Sequence, residues 1–277
     1  MQNCSYLQSM IKLIVTDLDG TLLTDRLELP GGFLPLTRRL FAVGIKIAIA
    51  TGRPNSSIAE KFAPILSQLY AISDNGGLIR NGKQELLSKP LPQAEIQSLV
   101  SVARGIKNAW PVLCGKDTWY LENTDEAFIN KVHLYTKNYK IVEDLTKIDT
   151  PIIKLSLCDL AGAEQNSYKY YRQFENSLKV AVGGASWLDV TMPKANKGEA
   201  VQFLQRLHDI TPDETLVFGD LMNDYEMMKT ATYSYAMKNA YPKLKEAAKF
   251  ITEKDNNEGG VLDVIEKLCF INELGKY

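Results

Sequence analysis

The chain begins with short, almost continuous apolar runs that alternate with amphipathic stretches. Residues 11–16 (Ile-Lys-Leu-Ile-Val-Thr) and 45–50 (Ile-Lys-Ile-Ala-Ile-Ala) lack a polar face, the pattern of strands buried on both sides. Residues 34–43 place apolar side chains at helical spacing and end at Gly44, a residue suited to a helix C-terminus. A second helix is predicted over 54–66, with Pro54 in the first turn, where its missing N–H costs nothing. Residues 70–73 form a third short strand, closed by Asp74-Asn75-Gly76-Gly77. Strands alternating with helices imply βαβ units around a parallel sheet.

The pattern changes between about 83 and 187. Helices are expected over 93–107, 125–137 and 163–177. Strands are expected near 112–114, 118–121, 152–158, 178–182 and 188–191, short and antiparallel, so this stretch reads as an α+β module. Asn81-Gly82 and Gly183-Gly184 supply turns near its edges. The first style then returns. Residues 198–208 space Val201, Leu204 and Leu207 as one helical face, and strands are expected over 215–218, 233–237 and 250–251. A short helix opens over 224–229, and an amphipathic helix over 261–268 follows Gly259-Gly260. The expected architecture is α/β: residues 1–82 and 188–277 form a core around a parallel sheet, and residues 83–187 are an inserted second domain.

Composition narrows the class. The chain has 277 residues, 45% of them hydrophobic and 23% charged, the mix of a globular protein. Its 32 basic and 33 acidic residues give a net charge of −1, which removes the electrostatic case for nucleic acid or an anionic membrane as partner. No run of 18 apolar residues suggests a membrane span. The apolar stretch from Met10 lacks a signal peptide's flanks, so a cytoplasmic location is expected. Cys4, Cys114, Cys158 and Cys269 show no CxxC spacing and read as free thiols. With only His133 and His208, a histidine triad or histidine-rich metal site has little to draw on.

The chemistry concentrates after the predicted strands. Asp17-Leu18-Asp19-Gly20-Thr21 follows the first strand directly. Open α/β sheets place ligands at the carboxyl ends of their strands. Two carboxylates there can divide labour, one as nucleophile or metal ligand and the other as proton donor. Thr51-Gly52-Arg53 follows the second strand and offers a hydroxyl and a close backbone N–H to an anion. Asp220, Asn223 and Asp224 follow the 215–218 strand, and their hard oxygens suit Mg²⁺ rather than zinc. Lys197 opens a helix, where a cation and helix amides together hold an anion. Taken singly, these are turn residues and a surface lysine. Taken together, they are a kit for stabilising a phosphoryl group in transfer.

The set resembles the haloacid dehalogenase (HAD) superfamily, specifically its Cof-like phosphatases with a large cap inserted between the second and third motifs. The matching stretches are DLDGTLL (17–23), IATGRP (49–54), SDNGG (73–77), NKGEAV (196–201) and GDLMNDYEM (219–227), in the family's order. The chain departs from the usual pattern at Asn75-Gly76-Gly77 and at Lys238, where the family has glycine.

The resemblance implies a Rossmann-like HAD core with an inserted α+β cap, and a Mg²⁺-dependent phosphatase acting on small phosphomonoesters such as sugar phosphates or phosphorylated cofactors. It implies Asp17 as the nucleophile that becomes an aspartyl-phosphate and Asp19 as the acid/base. It further implies Mg²⁺ held by the carboxylates of Asp17 and Asp220 and the backbone carbonyl of Asp19, with Asp224 behind them. Thr51, Gly52, Lys197, Asn223 and the backbone N–H of Leu18 would surround the phosphoryl oxygens. The cap would set specificity; Trp110, Trp119, Tyr120 and Trp187 are candidates to face the substrate, with core packing the stronger reading for any one of them, and Lys154 either reaches the cleft or faces solvent. A monomer or small homo-oligomer is expected. The same motifs also fit a phosphomutase on sugar phosphates, or a non-catalytic phosphosugar-binding regulator.

Overall fold

The computed structural model describes residues 11–270. The first strands are β1 (Leu13–Thr16), β2 (Lys46–Ala50), β3 (Leu69–Ser73), β4 (Leu78–Asn81) and β5 (Gln84–Ser88). They are followed by β6 (Ala109–Gly115), β7 (Trp119–Leu121), β8 (Tyr139–Ile141), β9 (Ile152–Asp159), β10 (Lys179–Val182) and β11 (Trp187–Thr191). The chain then adds β12 (Thr215–Gly219), β13 (Tyr233–Ala236) and β14 (Phe250–Ile251). They form two sheets. An eight-stranded sheet runs β14-β13-β12-β1-β2-β3-β4-β5, and a six-stranded sheet runs β10-β11-β9-β6-β7-β8.

The larger sheet is parallel from β14 to β3, with β4 and β5 added antiparallel at one edge. All four residues of β1 are buried, as a central strand covered on both faces requires. Helix α1 (Phe33–Ala42) buries Phe33, Leu36, Thr37 and Leu40, one stripe at helical spacing. Helices α2 (Asn55–Lys61), α3 (Gln93–Arg104), α4 (Glu126–His133), α5 (Tyr168–Tyr171) and α6 (Lys197–Leu207) follow along the chain. Next come α7 (Tyr225–Met228), α8 (Pro242–Ala247) and α9 (Gly260–Phe270). No helix among the described residues is long and apolar enough to cross a membrane.

The smaller sheet is antiparallel except for the β7–β8 pair. Its side chains alternate between two clusters. Leu113, Leu155, Leu157 and Leu188 pack with α3 on one face, and Val112, Cys114, Cys158 and Trp187 pack with α4 on the other. Cys114, Cys158 and Cys269 are free and buried, and Cys4 lies outside the described residues.

Several expectations change. Asn81-Gly82 is the turn of the β4–β5 hairpin, with Gly82 at φ +57°. Residues 84–88 therefore pair in the larger sheet, while 187–191 pair in the smaller one. The hairpin has no hydrophobic signature because β5 is an edge strand whose first residues, Gln84 and Glu85, are exposed and polar. Strand β8 is a short edge of the same kind. The 163–177 helix is broken into 163–167, α5 and a tight 172–174 turn, and it buries only Ala163, Ser167 and Tyr171 in a thin stripe. Leu207 is exposed, because a three-residue step drifts by about 60° and two steps carry it off the Val201–Leu204 face.

Candidate active site

Three neighbouring parallel strands end at one edge of the larger sheet, in the order β12, β1, β2. Thr16 is level with Phe218 and with Ile49, so Asp17, Asp220 and Thr51 emerge side by side. The Asp17 N–H donates to the Phe218 carbonyl at 3.0 Å, which continues the ladder past the last paired residue. Gly20 then turns the chain back at φ +74°. A Cβ there would stand 2.4 Å from Asp220 Oδ2, so only glycine lets this loop lie against that carboxylate.

Lys197 is fully buried in the first turn of α6, whose N-cap Asn196 accepts a hydrogen bond from the Glu199 N–H at 2.8 Å. Its ammonium donates to Asp17 Oδ1 and, at 2.6 Å, to Asp224 Oδ1. The other Asp224 oxygen accepts from the N–H groups of Asp220 and Leu221 at 3.0 and 3.3 Å. Asp224 is thus saturated within the protein and fixes both Lys197 and the 219–224 loop. Thr21 Oγ1 donates to Asp220 Oδ1 at 3.0 Å.

The electrostatics follow from burial. Desolvation pushes the Asp17 carboxyl well above its ordinary value, against the opposing pull of Lys197. Desolvation, then the nearby Asp224 charge, pushes Asp220 up to about 6. Burial alone would lower the Lys197 pKa, but Asp17 and Asp224 outweigh it and keep the ammonium charged. One carboxylate oxygen from each of Asp17, Asp220 and Asp224 lies within 4.8 Å of the others. Three buried carboxylates against a single ammonium leave excess negative charge. A donor set made only of hard oxygens fits a small divalent cation that supplies the missing positive charge.

The cleft above these strand ends is lined by Asp17, Asp19, Thr51, Gly52, Asp220 and Asn223, and from the smaller sheet by Trp119, Lys154, Trp187 and Asp189. Leu18, Lys197 and Asp224 lie behind this lining, fully buried. Asn223 Nδ2 donates to Asn75 Oδ1 at 3.2 Å. Of the aromatic residues marked in the sequence, Trp119 and Trp187 reach the cleft, while Trp110 stacks on Phe128 and Tyr120 is outside the lining. Lys154 reaches across from β9 to donate to the Gly52 carbonyl at 3.2 Å and to Asp189 at 3.1 Å. Lys238 meets Glu258 at the surface, 3.5 Å away, and does not line the cleft.

Arg53 has a role in the site that the motif pattern does not assign. Its guanidinium grips the Asp19 carboxylate with two hydrogen bonds of 2.6 and 2.7 Å and lies over the Tyr135 ring of the smaller-sheet region. Its place directly after Thr51-Gly52 was the available signal, since a strand-end arginine can fork onto a carboxylate. Asp189, which accepts from Lys154 and from Ser156 at 2.6 Å, had no signal, because an acid on an alternating strand looks solvated.

The chain is similar over most of its length to other proteins. Over 268 residues the chain is 28% identical to the 5-amino-6-(5-phospho-D-ribitylamino)uracil phosphatase YbjI of Escherichia coli, covering 93% of this chain and 96% of that one. The solved structure of SMU.1108c from Streptococcus mutans superposes with a TM-score of 0.84 at 28% identity, over 93% and 98% of the two chains. That of a haloacid dehalogenase-like hydrolase from Bacteroides thetaiotaomicron gives 0.83 at 26% identity, over 93% and 99%. Residues 14–265, which carry every motif gathered at this sheet edge, match the haloacid dehalogenase-like hydrolase family, and the chain belongs to it.

Proposed function

We propose that the protein is a Mg²⁺-dependent phosphatase of small phosphomonoesters that works through an aspartyl-phosphate on Asp17. The observation that carries this reading is the fully buried Lys197 bonded to Asp17 at the edge where Asp220 also emerges. A structural turn needs no buried ammonium beside an acid, whereas a nucleophile that must meet an anionic phosphate does. The phosphatase YbjI, alike over almost the whole chain, supports the reaction class.

In this reading Asp17 Oδ attacks phosphorus, and the bond from phosphorus to the leaving oxygen breaks. Asp19 gives its proton to that oxygen. Asp19 then takes a proton from the water that attacks the acyl phosphate, and Asp17 departs as carboxylate. Arg53 holds the Asp19 carboxylate in place between these roles. Thr51, Gly52, Asn223, Lys197 and the Leu18 N–H surround the phosphoryl oxygens. Asp17, Asp220 and the Asp19 carbonyl would hold Mg²⁺, with Asp224 reserved for Lys197 and the loop amides. A bound Mg²⁺ would screen the charge of the phosphoryl oxygens and of the cluster itself.

We also propose a two-domain division at the strand limits: a core of residues up to 88 and from 195, with 89–194 as a cap over the cleft. Three bonds or contacts from the cap region fall on residues 52–57: Lys154 to Gly52, Tyr135 over Arg53, and the Tyr135 carbonyl accepting from Ser57 at 2.6 Å. We place the activity in the cytoplasm, where buried free thiols stay reduced. The test is release of inorganic phosphate from a panel of phosphomonoesters, with and without chelator. Steady release without a bisphosphate activator supports hydrolysis; activator-dependent interconversion of sugar monophosphates with no phosphate released would turn the reading to a phosphomutase.

A further inference from the structure

The cleft is larger than a phosphoryl group needs. It encloses about 730 Å³, within the ~300–1,000 Å³ typical of sites that bury a whole small molecule. Above the phosphate end its lining changes character. From the core side Leu221, Met222 and Tyr241 are 54%, 40% and 46% exposed, and from the smaller sheet Val182 is 39% exposed. None of the four packs into a hydrophobic cluster of the fold. Tyr135 and Trp187 add aromatic surface to the same space. Scattered exposed apolar side chains are ordinary, but four gathered around one mouth beside Asp220 mark a surface that a ligand covers.

The charges point the same way. Along the described lining the cationic side chains are Arg53 and Lys154, and both are matched, Arg53 by Asp19 and Lys154 by Asp189. Glu164 adds a further carboxylate. A second anionic group on the substrate would find no spare cation there and would face Asp189 and Glu164.

Building on the phosphatase reading, we propose that the cleft selects phosphomonoesters whose leaving alcohol carries a planar, apolar-faced ring and no second anionic group. The ring lies against Tyr241, Met222 and Val182, with its phosphoester at Asp17. Sugar phosphates and bisphosphates are poor fits: the first sets hydroxyls against the apolar mouth, the second buries an unmatched charge.

The test uses the full chain and four probes: benzyl phosphate, glucose 6-phosphate, glucose 1,6-bisphosphate, and acetyl phosphate as a small reference that reads the phosphoryl site alone. Benzyl phosphate should exceed both sugar esters in kcat/KM by roughly tenfold or more. Tyr241→Ser and Val182→Ser should each lower kcat/KM for benzyl phosphate while leaving acetyl phosphate unchanged. Val182→Lys should raise the bisphosphate relative to benzyl phosphate by supplying a spare cation. Acetyl phosphate hydrolysis with equal or better turnover of either sugar ester overturns the substrate class and leaves the phosphatase reading standing. Rim variants that do not change benzyl phosphate turnover overturn it as well. If none of the four probes is hydrolysed, the phosphatase reading itself fails and this proposal falls with it.

Discussion

A lysine with no solvent exposure needs a counter-charge, and Lys197 has two, in Asp17 and Asp224. The pair makes the consequences of single substitutions separable. Asp17→Asn leaves Lys197 matched by Asp224, so the fold should survive while turnover falls by roughly a thousandfold or more. Circular dichroism and phosphate release on the same sample check both halves. Arg53 acts on Asp19 through geometry that only a planar fork provides. Arg53→Ala and Arg53→Lys should both lower kcat, by about 10–100-fold if Asp19 drifts on the order of 1 Å. Added guanidinium should restore part of the Arg53→Ala loss and none of the Arg53→Lys loss. A merely structural arginine would lower thermal stability and show no such rescue.

At the scale of elements, the site exists because three strand ends and one helix start share an edge. Gly219 closes β12 with so little room that a Cβ would stand 2.5 Å from Asp224 Cγ. Gly219→Ala should therefore push Asp224 off Lys197 and reduce activity far more than a surface glycine such as Gly31 would, where a Cβ meets nothing within 4 Å. The crowded carboxylates also set a pH dependence. Burial raises Asp17, and raises Asp220 to about 6, so the folded protein holds these protons more tightly than the unfolded chain does. Metal-free stability should then fall as pH rises from the ordinary carboxylate range through about 6. A divalent cation competes for the same oxygens. Mg²⁺ should raise the thermal midpoint at about pH 7.5 and lose that effect at about pH 5, which differential scanning fluorimetry can read directly. A midpoint insensitive to Mg²⁺ at both values would exclude the assigned ligands.

At the scale of the whole molecule, the two connections between the sheets run side by side: Lys89 donates through its ammonium to the Lys194 carbonyl. Replacing residues 90–193 by a short flexible linker should therefore leave the larger sheet intact, since closing a short loop costs little. This variant should keep hydrolysis of acetyl phosphate and lose discrimination among larger esters, because Trp119, Lys154, Trp187 and Asp189 leave with the removed segment. Kinetics on two esters of different size, with circular dichroism as a control for folding, decide the point. Loss of all folded signal would show that the two sheets depend on each other.

Local pattern is enough to read the alternating strands and helices of the larger sheet, the order of the motifs along it, and the acids that follow β1 and β12. Those features are local: buried parallel strands are continuous apolar runs, and the residues after them stand at the sheet's edge. Tertiary structure decided what depends on distant partners. It buried Lys197, which sequence alone reads as a surface residue, by setting it between acids 180 and 27 positions away. It gave Asp19 to Arg53, 34 residues on, and brought Lys154 over Gly52 from 102 residues away. It placed the 84–88 strand in the larger sheet, because a polar edge strand carries no hydrophobic pattern and is recognised only by the strand it pairs with.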